Sequence, residues 1–168
     1  LIHRSHERGL TKLAWLESRH SFSFGSYRNS KRDHFGALRV VNDDIVAPGK
    51  GFGMHMHDNM EIISIVLEGS LEHNDSMGNR GIIHAGEIQR IRAGSGIHHS
   101  EFNHSKTGQC HFLQIWIDPS EMGLKPSYEQ TKIPAHENSF VTIASNAQQS
   151  AGVHIHQDAK IQMGNFEK

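Results

Sequence analysis

Apolar and polar positions alternate with a period of two through much of the chain, in short runs closed by glycine or proline, which is the pattern of half-buried β-strands. Residues 35–46 (FGALRVVNDDIV) read as a strand ending in the turn at Pro48-Gly49. Residues 61–74 (EIISIVLEGSLEHN) read as a long β stretch bent at Gly69, and Met77-Gly78-Asn79 supplies the hairpin turn that follows. Residues 80–92 give two short strands punctuated by Ala85-Gly86. Residues 109–118 (QCHFLQIWID) form a further strand with His111, Leu113, Ile115 and Ile117 on one face and Cys110, Phe112, Gln114 and Trp116 on the other. Both faces are largely apolar, which predicts burial on both sides. Residues 119–132 break the pattern with two prolines and a glycine, and residues 139–144 return to strand. Phe22 and Phe24 alternate with serines and predict a short strand near the N-terminus, in a stretch where no chemistry is expected. No 3.6-residue periodicity is sustained, so the fold class is all-β, a sandwich or barrel.

A chain of 168 residues builds one good core. Its 17 basic and 18 acidic residues give a net charge of −1 with no block of one sign, which argues against direct nucleic-acid binding through a basic face. No apolar run approaches the length of a membrane span, and the single cysteine, Cys110, excludes an internal disulfide. The expectation is a soluble cytoplasmic protein with no membrane partner. Histidine is the anomaly: there are 15, more than Phe, Trp and Tyr together. His3, His6, His20, His34, His104 and His136 sit in polar surroundings and are expected at the solvated surface. His73, His84 and His111 lie on predicted strands and are expected to be structural.

The candidate chemistry gathers at residues 49–61, GKGFGMHMHDNME. On a strand, His55 and His57 leave the same face about 6.5 Å apart at the base and can converge on one ion at about 2.0–2.1 Å. Residues 94–103, GSGIHHSEFN, put His99 and Glu101 on one face by the same parity, with His98 and Ser100 on the other. Gly94 and Gly96 permit positive φ or close backbone contact on the approach. Three imidazoles and one carboxylate suit a divalent first-row metal with coordination positions left open. A second H-x-H at His154 and His156 lacks an acid at the motif spacing and is not expected to bind metal alone.

The pattern G-x5-H-x-H-x3-E, followed by G-x-G-x2-H-x3-N, resembles the two motifs of the cupin superfamily. More narrowly, GFGMHMHDNMEIISIVLEGSLEHNDSMGN, AGSGIHHSE and HFLQIWI resemble the pirins, whose bacterial members include quercetin 2,3-dioxygenases. The resemblance spans about residues 8–158. It implies a cupin double-stranded β-helix barrel: an N-terminal metal-binding pirin domain over residues 1–150, with residues 151–168 as a tail or the start of a second cupin domain that is otherwise missing. It also implies Glu101, rather than Glu61, as the carboxylate ligand beside His55, His57 and His99, with Glu61 a supporting acid. Pirins usually carry proline where this chain has Met56, a residue expected to face away from the ion.

By that resemblance the chain is a metal-dependent dioxygenase acting on flavonols such as quercetin with O2. Its cofactor would be one divalent transition metal, iron first, with Ni, Mn, Co, Cu or Zn also compatible. Glu101 would coordinate the metal, then take the proton of the flavonol 3-hydroxyl, and ring cleavage with loss of carbon monoxide would follow. The resemblance equally implies an alternative: a non-catalytic, redox-sensitive transcriptional co-regulator acting through protein partners. A sugar- or small-acid isomerase of the wider cupin group ranks last, because Phe52, Met54, Ile97 and Phe112 predict apolar pocket walls.

Overall fold

The computed structural model describes residues 3–147 and 152–167. After a single 3-10 turn at Ser5–Glu7, the described residues form β1 (Gly9–Lys12), β2 (Leu16–His20), β3 (Leu38–Val46), β4 (Gly51–His57), β5 (Glu61–Glu68), β6 (Ser70–Asp75) and β7 (Arg80–His84). They continue with β8 (Glu87–Arg92), β9 (Ile97–Asn103), β10 (Cys110–Ile117), β11 (Ser127–Lys132), β12 (Ser139–Ser145), β13 (Val153–His154) and β14 (Lys160–Asn165). The fold is all-β, as the alternation predicts, and no helix among the described residues is long and apolar enough to cross a membrane.

A seven-stranded sheet runs β1-β2-β3-β10-β5-β8-β11, and a four-stranded sheet, β4-β9-β6-β7, closes over it to make the barrel. The bend between β5 and β6 falls at Gly69, whose φ of 77° is a left-handed conformation that side chains resist. The approach to β9 turns at Gly94, with φ 49°, where a Cβ would collide with the Leu124 carbonyl.

Strand parity sorts the core into three parts. Even-numbered residues of β5 and β10 face the barrel interior. At one end Val66 and Phe112 pack with Leu71, Ile83, Val46 and Cys110, and at the other Ile62 packs with Ile91, Ala93 and Ile97, with Trp116 against them. Odd-numbered residues face outward, where Ile63, Ile65, Ile115 and Ile117 pack against a third sheet, β13-β12-β14, through Ile143, Ala144, Val153 and Ile155. That double burial is why β5 and β10 read as apolar on both faces.

Two local expectations change. The N-terminal strand lies at Leu16–His20 rather than around Phe22 and Phe24, because alternate burial there is set by pairing with β3, while Phe24 only bridges to Tyr27 across a tight turn. The interruption at 119–132 ends sooner than its prolines suggest, since Ser127–Lys132 pairs along the edge with β8. The proposed boundary between residues 150 and 151 lies outside the described residues, and beyond it Val153 and Ile155 are fully buried in the same core as β5 and β10. Ile155→Ala should therefore destabilise the chain by about 2–5 kcal/mol, whereas Met122→Ala, at a position 70% exposed, should change stability by less than about 0.5 kcal/mol. Urea unfolding of the two variants measures both.

Candidate metal centre

The small sheet brings the motif histidines together by register. His55 on β4 stands directly opposite His99 on β9, and His57 lies opposite Ile97, one pleat further along the same face. Glu101 follows His99 on that face and stands opposite His73 of β6, while His99 stands opposite Asp75. Ring centroids are 4.4 Å apart for His55–His99, 4.8 Å for His55–His57 and 5.1 Å for His57–His99. One nitrogen from each of the three rings lies within 4.8 Å of the others. A second group with the same spacing is His73, His99 and Glu101, all buried. Met56 and His98 are partners across the two strands and both are exposed on the outer face, away from the cluster.

Two of the rings, His57 and His99, are held neutral. Burial, with His99 and His55 beside it, pushes His57 down to about 4, and burial, with His55 and His73, pushes His99 down to about 3. His55 donates from Nδ1 to the Gly53 carbonyl at 2.7 Å, which leaves Nε2 with a lone pair. His57 Nε2 and both ring nitrogens of His99 are buried without a hydrogen-bond partner. An unpartnered buried polar atom costs about 1–3 kcal/mol. The unpartnered lone pairs of His57 and His99, with the His55 Nε2 lone pair beside them, form a site that a Lewis-acidic cation would satisfy, and the donor set fits one.

Glu101, 1% exposed, is tied to the opposite sheet. Its Oε1 accepts from Ser64 Oγ at 3.0 Å and Gln89 Nε2 at 2.6 Å, and its Oε2 accepts from Gln114 Nε2 at 2.7 Å. These donors belong to a polar row that crosses the large sheet in register: His20, Asn42, Gln114, Ser64, Gln89 and Gln130. Glu61, by contrast, has odd parity on β5. Its carboxylate accepts from the His156 backbone N–H at 3.1 Å and approaches Arg90 Nε at 3.9 Å, on the side of the third sheet. His156 itself is occupied with Arg92, 3.0 Å away, and takes no part in the cluster. His73, expected to be structural, is fully buried, bonded to Asp75 at 3.0 Å and stacked on Tyr128 at 4.6 Å, yet it borders His99. His84 is exposed, and His111 is half-buried against Asp43 at 2.7 Å.

Beside the cluster opens a cavity of about 540 Å³ that reaches His55, His57 and Glu101. Of the four expected apolar wall residues only Phe52 lines it. Met54 is exposed, whereas Ile97 and Phe112 fill the two ends of the barrel core. The apolar walls are instead aromatic: Trp15, Phe24, Phe52 and Trp116. Trp116 lies edge-on to His57 at 4.8 Å and to Phe24 at 5.4 Å. The N-terminal stretch, where no chemistry is expected from sequence, therefore builds much of the wall, with Thr11, Ser18 and His20 beside its aromatic rings.

His20 is not a solvated surface residue. It is 2% exposed, donates from Nδ1 to Asn42 Oδ1 at 2.8 Å and accepts at Nε2 from Thr11 Oγ1 at 2.8 Å. Asp44 also lines the cavity, where burial, reinforced by the negative charges of Glu101 and Asp43, raises its carboxyl to about 7 despite a hydrogen bond from Ser18.

The residues that hold Glu101 have a trace in the sequence. Ser64, Gln89 and Gln114 each interrupt an apolar strand at interior parity, and a buried polar residue is more informative than an exposed apolar one. Asp44, Asn42 and His20 lack such a trace, because polar residues surround them in the chain.

Comparison with known proteins shows relatives of the same fold. The Pirin family model matches residues 3–117. Quercetin 2,3-dioxygenase of Escherichia coli strain K12 is 44% identical over 160 residues, covering 95% of this chain and 69% of that protein. A putative quercetin 2,3-dioxygenase of Mycobacterium tuberculosis is 45% identical over 158 residues, covering 92% of this chain and 65% of the relative. The crystal structure of YhhW from Escherichia coli superposes with a TM-score of 0.91 at 44% identity over 95% of this chain and 68% of that one. The structure of the bacterial pirin YhhW in complex with nickel(II) superposes with a TM-score of 0.90 at 43% identity, over 95% of this chain and 68% of that one. With the family model covering more than half of it and the barrel matching in three dimensions, this chain belongs to the pirin family.

Proposed function

We propose that this chain is a metal-dependent dioxygenase that takes a flavonol-like substrate and O2, with His55, His57, His99 and Glu101 as ligands of one divalent transition ion and Glu101 as the catalytic base. The observation that carries this reading is the convergence of His55 with the neutral, unpartnered nitrogens of His57 and His99 beside an aromatic-walled cavity that Glu101 also reaches. The names and the nickel(II) complex of the Escherichia coli relatives support it. When bound, such an ion supplies Lewis acidity, lowering the pKa of a chelating hydroxyl and offering open positions to substrate and oxygen. Iron remains the expected ion, and the ligand set equally accepts nickel, manganese, cobalt, copper or zinc.

The chain's own residues divide the remaining work. His55 would bind through Nε2, because its Nδ1 is engaged with Gly53, and His57 through its free Nε2. Glu101 Oε1 has both lone pairs engaged by Ser64 and Gln89, whereas Oε2 accepts only from Gln114 and keeps one lone pair. Metal coordination and proton acceptance compete for that lone pair, so Glu101 acts in turn: ligand at rest, then base towards the 3-hydroxyl. Gln114 fixes the carboxylate during the exchange. Trp15, Phe24, Phe52 and Trp116 offer apolar faces to flat aromatic rings and keep water from the reacting centre.

Elemental analysis of the metal-replete chain should find near one ion per chain, with oxygen uptake stoichiometric with quercetin loss. His57→Ala should abolish metal binding. Glu101→Gln should keep much of the metal while turnover falls about 10²–10⁴-fold, and full turnover in that variant would refute the base role. Metal without any flavonol-dependent oxygen uptake would move the chain to the regulatory class.

The metal-free chain should also be acid-sensitive. His57 and His99 resist protonation down to about 4 and about 3, while the same residues in the unfolded chain titrate near the ordinary 6.5. The unfolded state therefore binds protons first, and the stability these rings contribute is lost as pH falls from about 6.5 towards 4. Asp44, raised to about 7, acts with the opposite sign over much of that window, but equally in wild type and in His99→Gln. Melting temperatures of the chelated proteins between pH 7 and pH 5 should fall less steeply for His99→Gln, and equal slopes would contradict the assignment.

A further inference from the structure

Two residues lining the cavity carry a buried side-chain polar atom with no partner. One is His57, at the imidazole cluster; the other is Asp44, through Oδ1. Asp44 is 3% exposed and stands on β3 directly opposite Ser18 of β2, with Asn42 two residues away on the same face. Ser18 offers its hydroxyl to this carboxyl, yet Oδ1 is left without a partner. Thr11 and His20 also line the cavity, but their donors are spent within a chain that runs from Thr11 Oγ1 through His20 to Asn42 Oδ1. Neither lysine nor arginine lines the cavity to neutralise the carboxyl. Oδ1 can gain its missing partner from a group that enters the cavity. The same cavity is lined by the aromatic rings of Phe24 and Trp116, with Trp116 packed against His57, and such walls suit a flat ring.

Resting on the dioxygenase reading above, we propose that Asp44 is the specificity-determining residue of the cavity: its free Oδ1 bonds a phenolic hydroxyl at one end of a flat ligand whose other end is held at the imidazole cluster. The site then selects polyhydroxylated flavonols over a flavonol that carries only the chelating hydroxyl-ketone. Burial and the nearby charge of Glu101 raise Asp44 to about 7, which favours a neutral hydroxyl, able to donate or accept, over a cationic partner. Losing this bond leaves either partner unsatisfied in a dry site, and such losses are large compared with those of an exposed hydrogen bond.

The test is calorimetric titration of the nickel-loaded chain with quercetin and with 3-hydroxyflavone, which shares the chelating group and lacks the other hydroxyls. Wild type should bind quercetin about tenfold or more tightly than 3-hydroxyflavone. Asp44→Leu should lose most of that preference through weaker quercetin binding, with 3-hydroxyflavone affinity unchanged and metal content still near one per chain. Asp44→Ala, smaller and equally unable to accept the bond, should do the same and serves if the leucine variant fails to fold. A preference retained in the variants, with both flavonols still bound, overturns the role of Asp44, leaves the dioxygenase reading standing and is the result expected if the carboxyl serves only a water. Binding of neither flavonol to loaded wild type overturns both.

Discussion

The structure depends on where a buried carboxylate can be placed. Glu101 sits on the small sheet, but its three hydrogen-bond donors, Ser64, Gln89 and Gln114, sit on three adjacent strands of the large one. The bond network therefore sets the depth and orientation of β9 relative to the opposite wall, and with it the position of His99 two residues earlier. Removing one donor would leave part of a charge unsatisfied in the interior, a loss of about 1–3 kcal/mol or more. A carboxylate placed this way is saturated on Oε1 and keeps one free lone pair on Oε2. That asymmetry is what lets one residue serve as both proposed ligand and proposed base.

The polar row is tolerable because it is flanked. Phe112 and Val66 close one end of the barrel and Ile62, Ile91 and Ile97 the other, so the polar layer is one side chain thick and its members mostly satisfy one another. On the outer face of the same strands the third sheet buries Ile63, Ile65, Ile115 and Ile117. Three layers thus share two central strands, and the apolar burial that stabilises the fold surrounds the polar layer at the barrel's centre.

Much of this was legible in the sequence. Strand parity placed His55 with His57 and His99 with Glu101, and it placed Met56 and His98 outside, because the period of two is fixed by backbone geometry. Glycines 69, 78, 86, 94 and 96 marked the turns, and each adopts positive φ. What parity cannot give is the partner across a sheet. His20 and Asp44 look like surface polar residues until β2 and β3 are seen to line the cavity. Phe24 likewise looks like one half of a strand until its ring is found against Trp116. Long-range closure, which brings the N-terminal arm to a motif more than thirty residues away, leaves no local mark.

The unpartnered nitrogens of His57 and His99 also tie stability to the proposed cofactor. In the metal-free chain their desolvation is uncompensated, so the barrel carries a local cost at the cluster where three rings converge. A cation that binds the folded chain and not the unfolded one recovers that cost and adds its own binding energy to stability, by an amount that grows with the logarithm of its concentration over its Kd. β4 is the strand most exposed to this coupling. It is an edge strand held on one side only, by β9, and its register shifts between Phe52 and His55. Its two histidines have few other ties to the barrel, so an ion bridging them to His99 would clamp the edge as well as open a reaction.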